Sequence, residues 1–104
     1  MALTREFKIT VKARAERDAA FREALLTEAV ELLLAGEVET GKAILRDYIN
    51  ATIGFEMLAK KTGTPPKSLM RMLGPNGNPR ASNLLGVISV LQEASGLHLE
   101  VAAR

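Results

Sequence analysis

Five basic side chains stand in a stretch, residues 57–92, that contains no acidic residue: Lys60, Lys61, Lys67, Arg71 and Arg80. Lysine and arginine neutralise phosphates, and arginine also pairs with guanine O6 and N7 in the DNA major groove. Residues 14–50, by contrast, carry eight acidic residues against five basic ones. This charge asymmetry predicts a polyanionic partner on one side of the molecule.

Few residues are suited to catalysis or metal binding. The chain has no cysteine, and its single histidine, His98, forms only an incomplete metal site with Glu100. Residues 36–43, GEVETGKA, approach the phosphate-binding P-loop pattern GxxxxGK[ST]. Ala43 lacks the hydroxyl that binds magnesium, however, and two glutamates in this segment would repel phosphates. The sequence therefore predicts no enzyme, no metal site and no cofactor.

The length and composition indicate one folded domain, residues 1–104. A chain of 104 residues, 47% hydrophobic and 25% charged, can bury a single modest core. No run approaches the roughly 18 apolar residues of a membrane span, and the first residues do not resemble a signal peptide. The absence of cysteine is consistent with a cytoplasmic protein, and cytoplasmic is the location that we expect.

Lys67 and Arg71 belong to a predicted short helix over residues 66–73. On a helical wheel, the apolar side chains of Leu69 and Leu73 share one face, whereas Lys67 and Arg71 project from the opposite face, one turn apart. Proline suits the first helical position, so Pro66 marks the start of this helix. A basic helix face of this kind suits a DNA major groove.

A second short helix, at residues 55–61, precedes this one, and a turn around Gly63 joins the two. Together they predict a helix-turn-helix over residues 55–73. From spacing alone, an ordinary helical hairpin with a solvated basic face remains the alternative. The other predicted elements are a strand at 5–12, helices at 18–35, 37–53 and 80–95, and a strand at 97–103.

Two segments of the chain resemble a known family. RDYINATIGFEMLAKKTGTPPKSLMRMLGPNGNP (46–79) and ERDAAFREALLTEAVELLLAGEVETGKAIL (16–45) are similar to the bacterial addiction-module antidotes, the HigA-like antitoxins with an Xre/Cro-type helix-turn-helix. Within them, LAKKTG, SLMRML and GNP are the most specific parts. The resemblance implies a mainly α, five-helix, lambda-repressor-like domain, here with short N- and C-terminal β-strands.

The resemblance also implies a function. Such proteins are homodimers that bind double-stranded operator DNA as transcriptional regulators of their own type II toxin-antitoxin operon, and they can hold a RelE/HigB-like ribonuclease toxin inactive. Carried onto this chain, the base-contacting residues are Pro66, Lys67, Ser68, Met70 and Arg71. The phosphate-contacting residues are Lys60, Lys61, Asn78, Arg80, Ser82 and Asn83.

Two positions depart from the family pattern. Phe55 stands where many Xre-type proteins have a glutamine. Arg80 stands where the family often has a serine or threonine that caps the last helix. We therefore expect Arg80 to contact a phosphate and Ser82 to act as the cap.

A protein-interaction module is the alternative function. The acidic balance of residues 14–50 and the apolar end of the first long helix, Leu32 to Leu34, would suit a module that masks a basic toxin or pairs with another protein. Such a module would bind DNA weakly or without sequence preference.

Overall fold

Six α-helices build the described part of the chain, residues 5–104 without the side chain of Lys8, in a computed structural model. They are α1 (Arg5–Arg17), α2 (Ala19–Leu34), α3 (Val38–Ala51), α4 (Gly54–Thr62), α5 (Pro66–Met72) and α6 (Ala81–Ser95). The prediction of a mainly helical protein is confirmed. The radius of gyration, 12.9 Å, is close to the roughly 13 Å of a compact body of this length.

The predicted N-terminal strand is wrong, because residues 5–12 belong to α1. Phe7, Val11 and Ala15 recur every four residues, and this helical stripe leads to Ala15, which is fully buried. The alternating pattern covers only residues 5–12, and the helical stripe becomes recognisable only when Ala15 is included. α1 packs against α3 and α2. With α1, the described residues contain six helices, whereas five were expected.

The predicted C-terminal strand is also wrong. Residues 97–104 form neither helix nor strand, because residues 5–104 contain no strand with which they could pair. Leu97 and Leu99 still pack against the core from an extended segment, which explains the alternation in the sequence. The N–H of Leu99 donates to the side-chain oxygen of Gln92 (2.7 Å) instead of to a neighbouring strand.

Capping residues define both ends of α2. The carboxylate of Asp18 accepts a hydrogen bond from the N–H of Phe21 (3.1 Å) and lies 3.5 Å from the guanidinium of Arg14. The hydrogen bond from Phe21 and, to a smaller extent, the charge of Arg14 lower the pKa of Asp18. At the other end, Gly36 adopts a left-handed conformation, φ 84°, that ends the helix and turns the chain into α3.

α3 lies at the centre of the fold and packs against α1, α2 and α4. Its inner face buries Leu45, Tyr48 and Ile49 completely. These side chains join a core to which α2, α4, α5 and α6 each contribute. α3 therefore supports α4 directly, and α5 packs against α4 and joins the same core. No helix in residues 5–104 has the length and hydropathy needed to cross a bilayer.

Candidate nucleic-acid interface

α4 and α5 are two short helices joined by a tight turn. Gly63 ends α4 in a left-handed conformation, φ 72°, and its N–H donates to the carbonyl of Ala59 (2.9 Å). Pro65 is extended, with φ −57° and ψ 145°, and Pro66 occupies the first position of α5. Proline fixes φ near the helical value, so the direction of α5 is set at its first residue.

The core fixes which face of α5 meets solvent. Leu69 and Leu73 are buried, with 1% and 0% of their surface exposed. Lys67, Met70 and Arg71 are exposed on the other side, whereas Pro66 and Ser68 are half-buried. Three of the five residues predicted to contact bases are therefore fully available to a ligand, and the other two present only part of their surface.

The six residues predicted to contact phosphates are all exposed: Lys60, Lys61, Asn78, Arg80, Ser82 and Asn83. They come from the end of α4, the loop before α6 and the start of α6. Within the described residues, none of the five basic side chains of this region forms an ion pair or a side-chain hydrogen bond. No described residue therefore neutralises the basic groups of this region.

Two shallow clefts show which of these residues lie together. One, of about 330 Å³, is lined by Thr62 and Thr64 from the turn and by Ser82 and Asn83 from α6. The start of α6 thus lies beside the turn that precedes α5. The second cleft brings Lys60 next to Pro65 and Pro66, and Glu56 lines it as well. Glu56 lies one helical turn before Lys60, and no ion pair joins these two residues.

Phe55 and Arg80 differ in their exposure and in their place in the fold. Phe55 is 7% exposed and packs in the core, so it presents no surface for a nucleic acid. The prediction that Ser82 caps α6 is wrong, because α6 begins at Ala81 and Ser82 lies in its first turn. Arg80 occupies the capping position with an extended backbone and makes no side-chain capping bond. Its guanidinium therefore remains available to a ligand.

Two basic residues of α3 that were not predicted to have a role, Lys42 and Arg46, lie behind this surface. Lys42 is completely buried, and its ammonium donates to the carbonyls of Gly74 (2.9 Å) and Gly77 (2.7 Å). It also lies 2.9 Å from the carboxylate of Glu39. Arg46 donates to the carbonyl of Leu73. The two side chains thus tie the end of α5 and the loop after it to α3.

A signal for Lys42 was present in the sequence. It precedes Leu45 and Ile49 by three and seven residues, so it lies on the apolar stripe of α3. A lysine on a buried stripe needs acceptors for its three N–H groups. The near-match to a P-loop at residues 36–43 drew attention to the same lysine, but Gly41 and Lys42 lie inside α3 and not in a loop.

His98 and Glu100, the other candidate pair, are both exposed on the segment after α6. In the described residues, no group of three or more potential metal ligands comes together.

Comparison of this chain with protein-family models, with curated proteins and with solved structures finds no match.

Proposed function

We propose that this chain is a sequence-specific DNA-binding transcriptional regulator. The observation that carries the proposal is a set of five exposed basic side chains around two short helices joined by a tight turn, none of which forms an ion pair with another described residue. A double helix carries about one negative charge per 1.7 Å of its axis. A basic surface of this kind gains free energy when it replaces the counterions of such a polymer.

In this proposal α4 and α5 form a helix-turn-helix of the Xre/Cro, lambda-repressor-like type, and α5 enters the major groove. Arg71 pairs with guanine O6 and N7, and Lys67 contacts bases one turn earlier. Pro66, Ser68 and Met70 complete the surface that faces the bases. Lys60, Lys61, Asn78, Arg80, Ser82 and Asn83 hold the phosphate backbone and so set the register of α5 on the DNA.

A homodimer would place two copies of α5 in successive major grooves, about 34 Å apart. The operator is then a palindrome with half-sites one helical turn apart. The similarity to addiction-module antidotes adds that this operator lies in the promoter of the protein's own toxin-antitoxin operon.

Substitution of Arg71 tests the base-reading role. At one base pair of the operator, we expect Arg71→Ala to reduce the difference in binding free energy between the correct base and the other bases by about 1–3 kcal/mol. Arg17→Ala, which removes an exposed arginine of α1, is the matched control and should leave binding unchanged. Gel-shift titration measures both quantities. If Arg71→Ala and wild type show the same affinity and the same sequence preference, Arg71 does not read a base.

The second candidate function is toxin neutralisation by a protein-interaction surface. Glu23, Glu28 and Glu31 are exposed along α2. Beyond them, Leu34 at the end of α2 is 69% exposed and Val38 at the start of α3 is 42% exposed. An acidic surface that ends in apolar side chains suits a basic protein such as a RelE/HigB-like ribonuclease. If the neighbouring open reading frame does not encode a small basic protein, this candidate loses its main support.

A further inference from the structure

The loop that follows α5 contains little regular structure of its own. Residues 74–79, GPNGNP, lie between α5 and α6, and one backbone hydrogen bond joins two residues of this loop, from the N–H of Gly77 to the carbonyl of Gly74 (3.0 Å). A short loop with one internal hydrogen bond needs contacts from elsewhere to hold one conformation. α3 supplies these contacts.

Lys42 holds the loop at both of its glycines. An ammonium has three N–H donors, and the Nζ of Lys42 has three acceptors within 2.9 Å: the carbonyls of Gly74 and Gly77 and the carboxylate of Glu39. One turn further along α3, Arg46 donates to the carbonyl of Leu73. These carbonyls lie at and beyond the end of α5, where a helix leaves acceptors unsatisfied and where positive charge is favourable.

Close packing against α5 holds the loop as well. A Cβ atom added at Gly77 would lie 2.3 Å from the carbonyl oxygens of Arg71 and Met72. The loop therefore crosses the last turn of α5 at backbone distance, and only glycine fits at the crossing point. Lys42 thus bonds to the loop at Gly77, the residue at which the loop also contacts α5, the helix that carries Arg71.

Arg80 depends on this loop for its position. It follows Pro79 directly, forms the N-terminal cap of α6, and makes no side-chain capping bond. Because its guanidinium is exposed and has no partner within the described residues, the path of the loop determines where the backbone presents it.

We infer that Lys42 and Arg46 are positioning residues for DNA binding: Lys42 holds the loop 74–79, Arg46 holds the end of α5 from which this loop departs, and together they set where Arg80 meets the phosphate backbone. Neither residue needs to touch DNA. The inference rests on the proposed DNA-binding function and adds that two residues of α3 control the distance between the base-reading helix and a phosphate contact.

A double-mutant cycle between Lys42 and Arg80 tests this inference. A duplex selected by the wild-type protein from a random pool is titrated at several salt concentrations with wild type, Lys42→Met, Arg80→Met and the double variant. Circular dichroism first identifies a temperature at which every variant is fully helical. Loss of one phosphate contact reduces the slope of log K against log salt by about 1.

We expect Arg80→Met to reduce this slope by about 1. Lys42→Met should reduce it by up to about 1, because it displaces Arg80 without removing it. The double variant should show no larger reduction than Arg80→Met alone, because Lys42 acts through Arg80. Lys60→Met, which removes a phosphate contact on α4, should add its own reduction to that of Lys42→Met. All of these variants should keep the base preference set by Arg71. A purely structural role for Lys42 would not produce this pattern.

Should Lys42→Met fail to fold, Arg46→Met carries the same cycle, since Arg46 is only half-buried. The inference is overturned if the wild-type protein binds DNA with sequence preference but the α3 variants leave the salt slope unchanged. It is also overturned if their slope changes add to that of Arg80→Met. Either result leaves the proposed function standing. If the wild-type protein binds no DNA, the proposed function and this inference fall together.

Discussion

Removal of the Lys42 ammonium is the perturbation for which the structure gives the most definite magnitude. The substitution Lys42→Met keeps most of the aliphatic volume and deletes the charge. It leaves the carbonyls of Gly74 and Gly77 without their donor. The carboxylate of Glu39 also loses its partner, but its side chain is 65% exposed and can be hydrated, so this loss costs little.

Two half-buried carbonyls then set the size of the effect. A partly buried acceptor that loses a charged donor costs about 1–1.5 kcal/mol, so Lys42→Met should lower the free energy of unfolding by about 2–3 kcal/mol. A chain of this length has an unfolding entropy of about 0.2 kcal/mol per kelvin at its midpoint. The Tm should therefore fall by roughly 9–14 °C.

Thermal unfolding followed by circular dichroism at 222 nm measures this change. The matched control is Lys60→Met, which makes the same substitution at an exposed lysine that has no ion-pair partner among the described residues. Its Tm should change by no more than about 2 °C. If Lys42→Met shifts the Tm no more than Lys60→Met does, the hydrogen bonds of Lys42 do not hold the loop, and the argument from its three acceptors is wrong.

Two further predictions concern a glycine and a helix cap. Gly77→Ala should destabilise the fold by about 2 kcal/mol or more, because the new Cβ would lie 2.3 Å from two carbonyls of α5; Gly86→Ala, at an exposed position of α6 with nothing within 4 Å of the new Cβ, should instead stabilise it by about 0.5–1 kcal/mol. Equal effects in urea titrations would contradict the crossing geometry at Gly77. Asp18 has a lowered pKa in the folded chain, so its charged form stabilises the fold above about pH 4 and this contribution disappears as the pH falls through the folded pKa. The difference in Tm between wild type and Asp18→Asn should therefore shrink between about pH 6 and about pH 3, and a difference that does not depend on pH would exclude this role of the charge.

Local signals in the sequence predicted much of the helical structure. The predicted helix at 18–35 has boundaries that two local signals explain, because Asp18 caps α2 and Gly36 adopts the left-handed conformation that ends this helix. Pro66 fits the first position of α5 and occupies it. Each of these signals works through the residue's own backbone or through a bond to a residue three positions away, so each can be recognised within a short window.

The errors concern interactions that a short window does not contain. Alternation over residues 5–12 suits a strand, but a strand needs a partner, and a stripe that continues to Ala15 indicates a helix. Lys42 bonds to carbonyls 32 and 35 residues away. Its role depends on how α3 packs near α5, and the composition of neither segment reveals that packing. The exposure of Lys67 and Arg71, by contrast, followed from the apolar stripe of α5 itself.

DNA selection with the purified wild-type protein tests whether this chain binds DNA with sequence specificity. A random duplex pool is bound at two salt concentrations, and the retained sequences are read out together with the affinity. We expect a palindromic consensus that persists at both concentrations and an affinity that falls steeply as salt rises. Failure to retain any sequence, or retention without a consensus at low salt alone, would contradict this expectation.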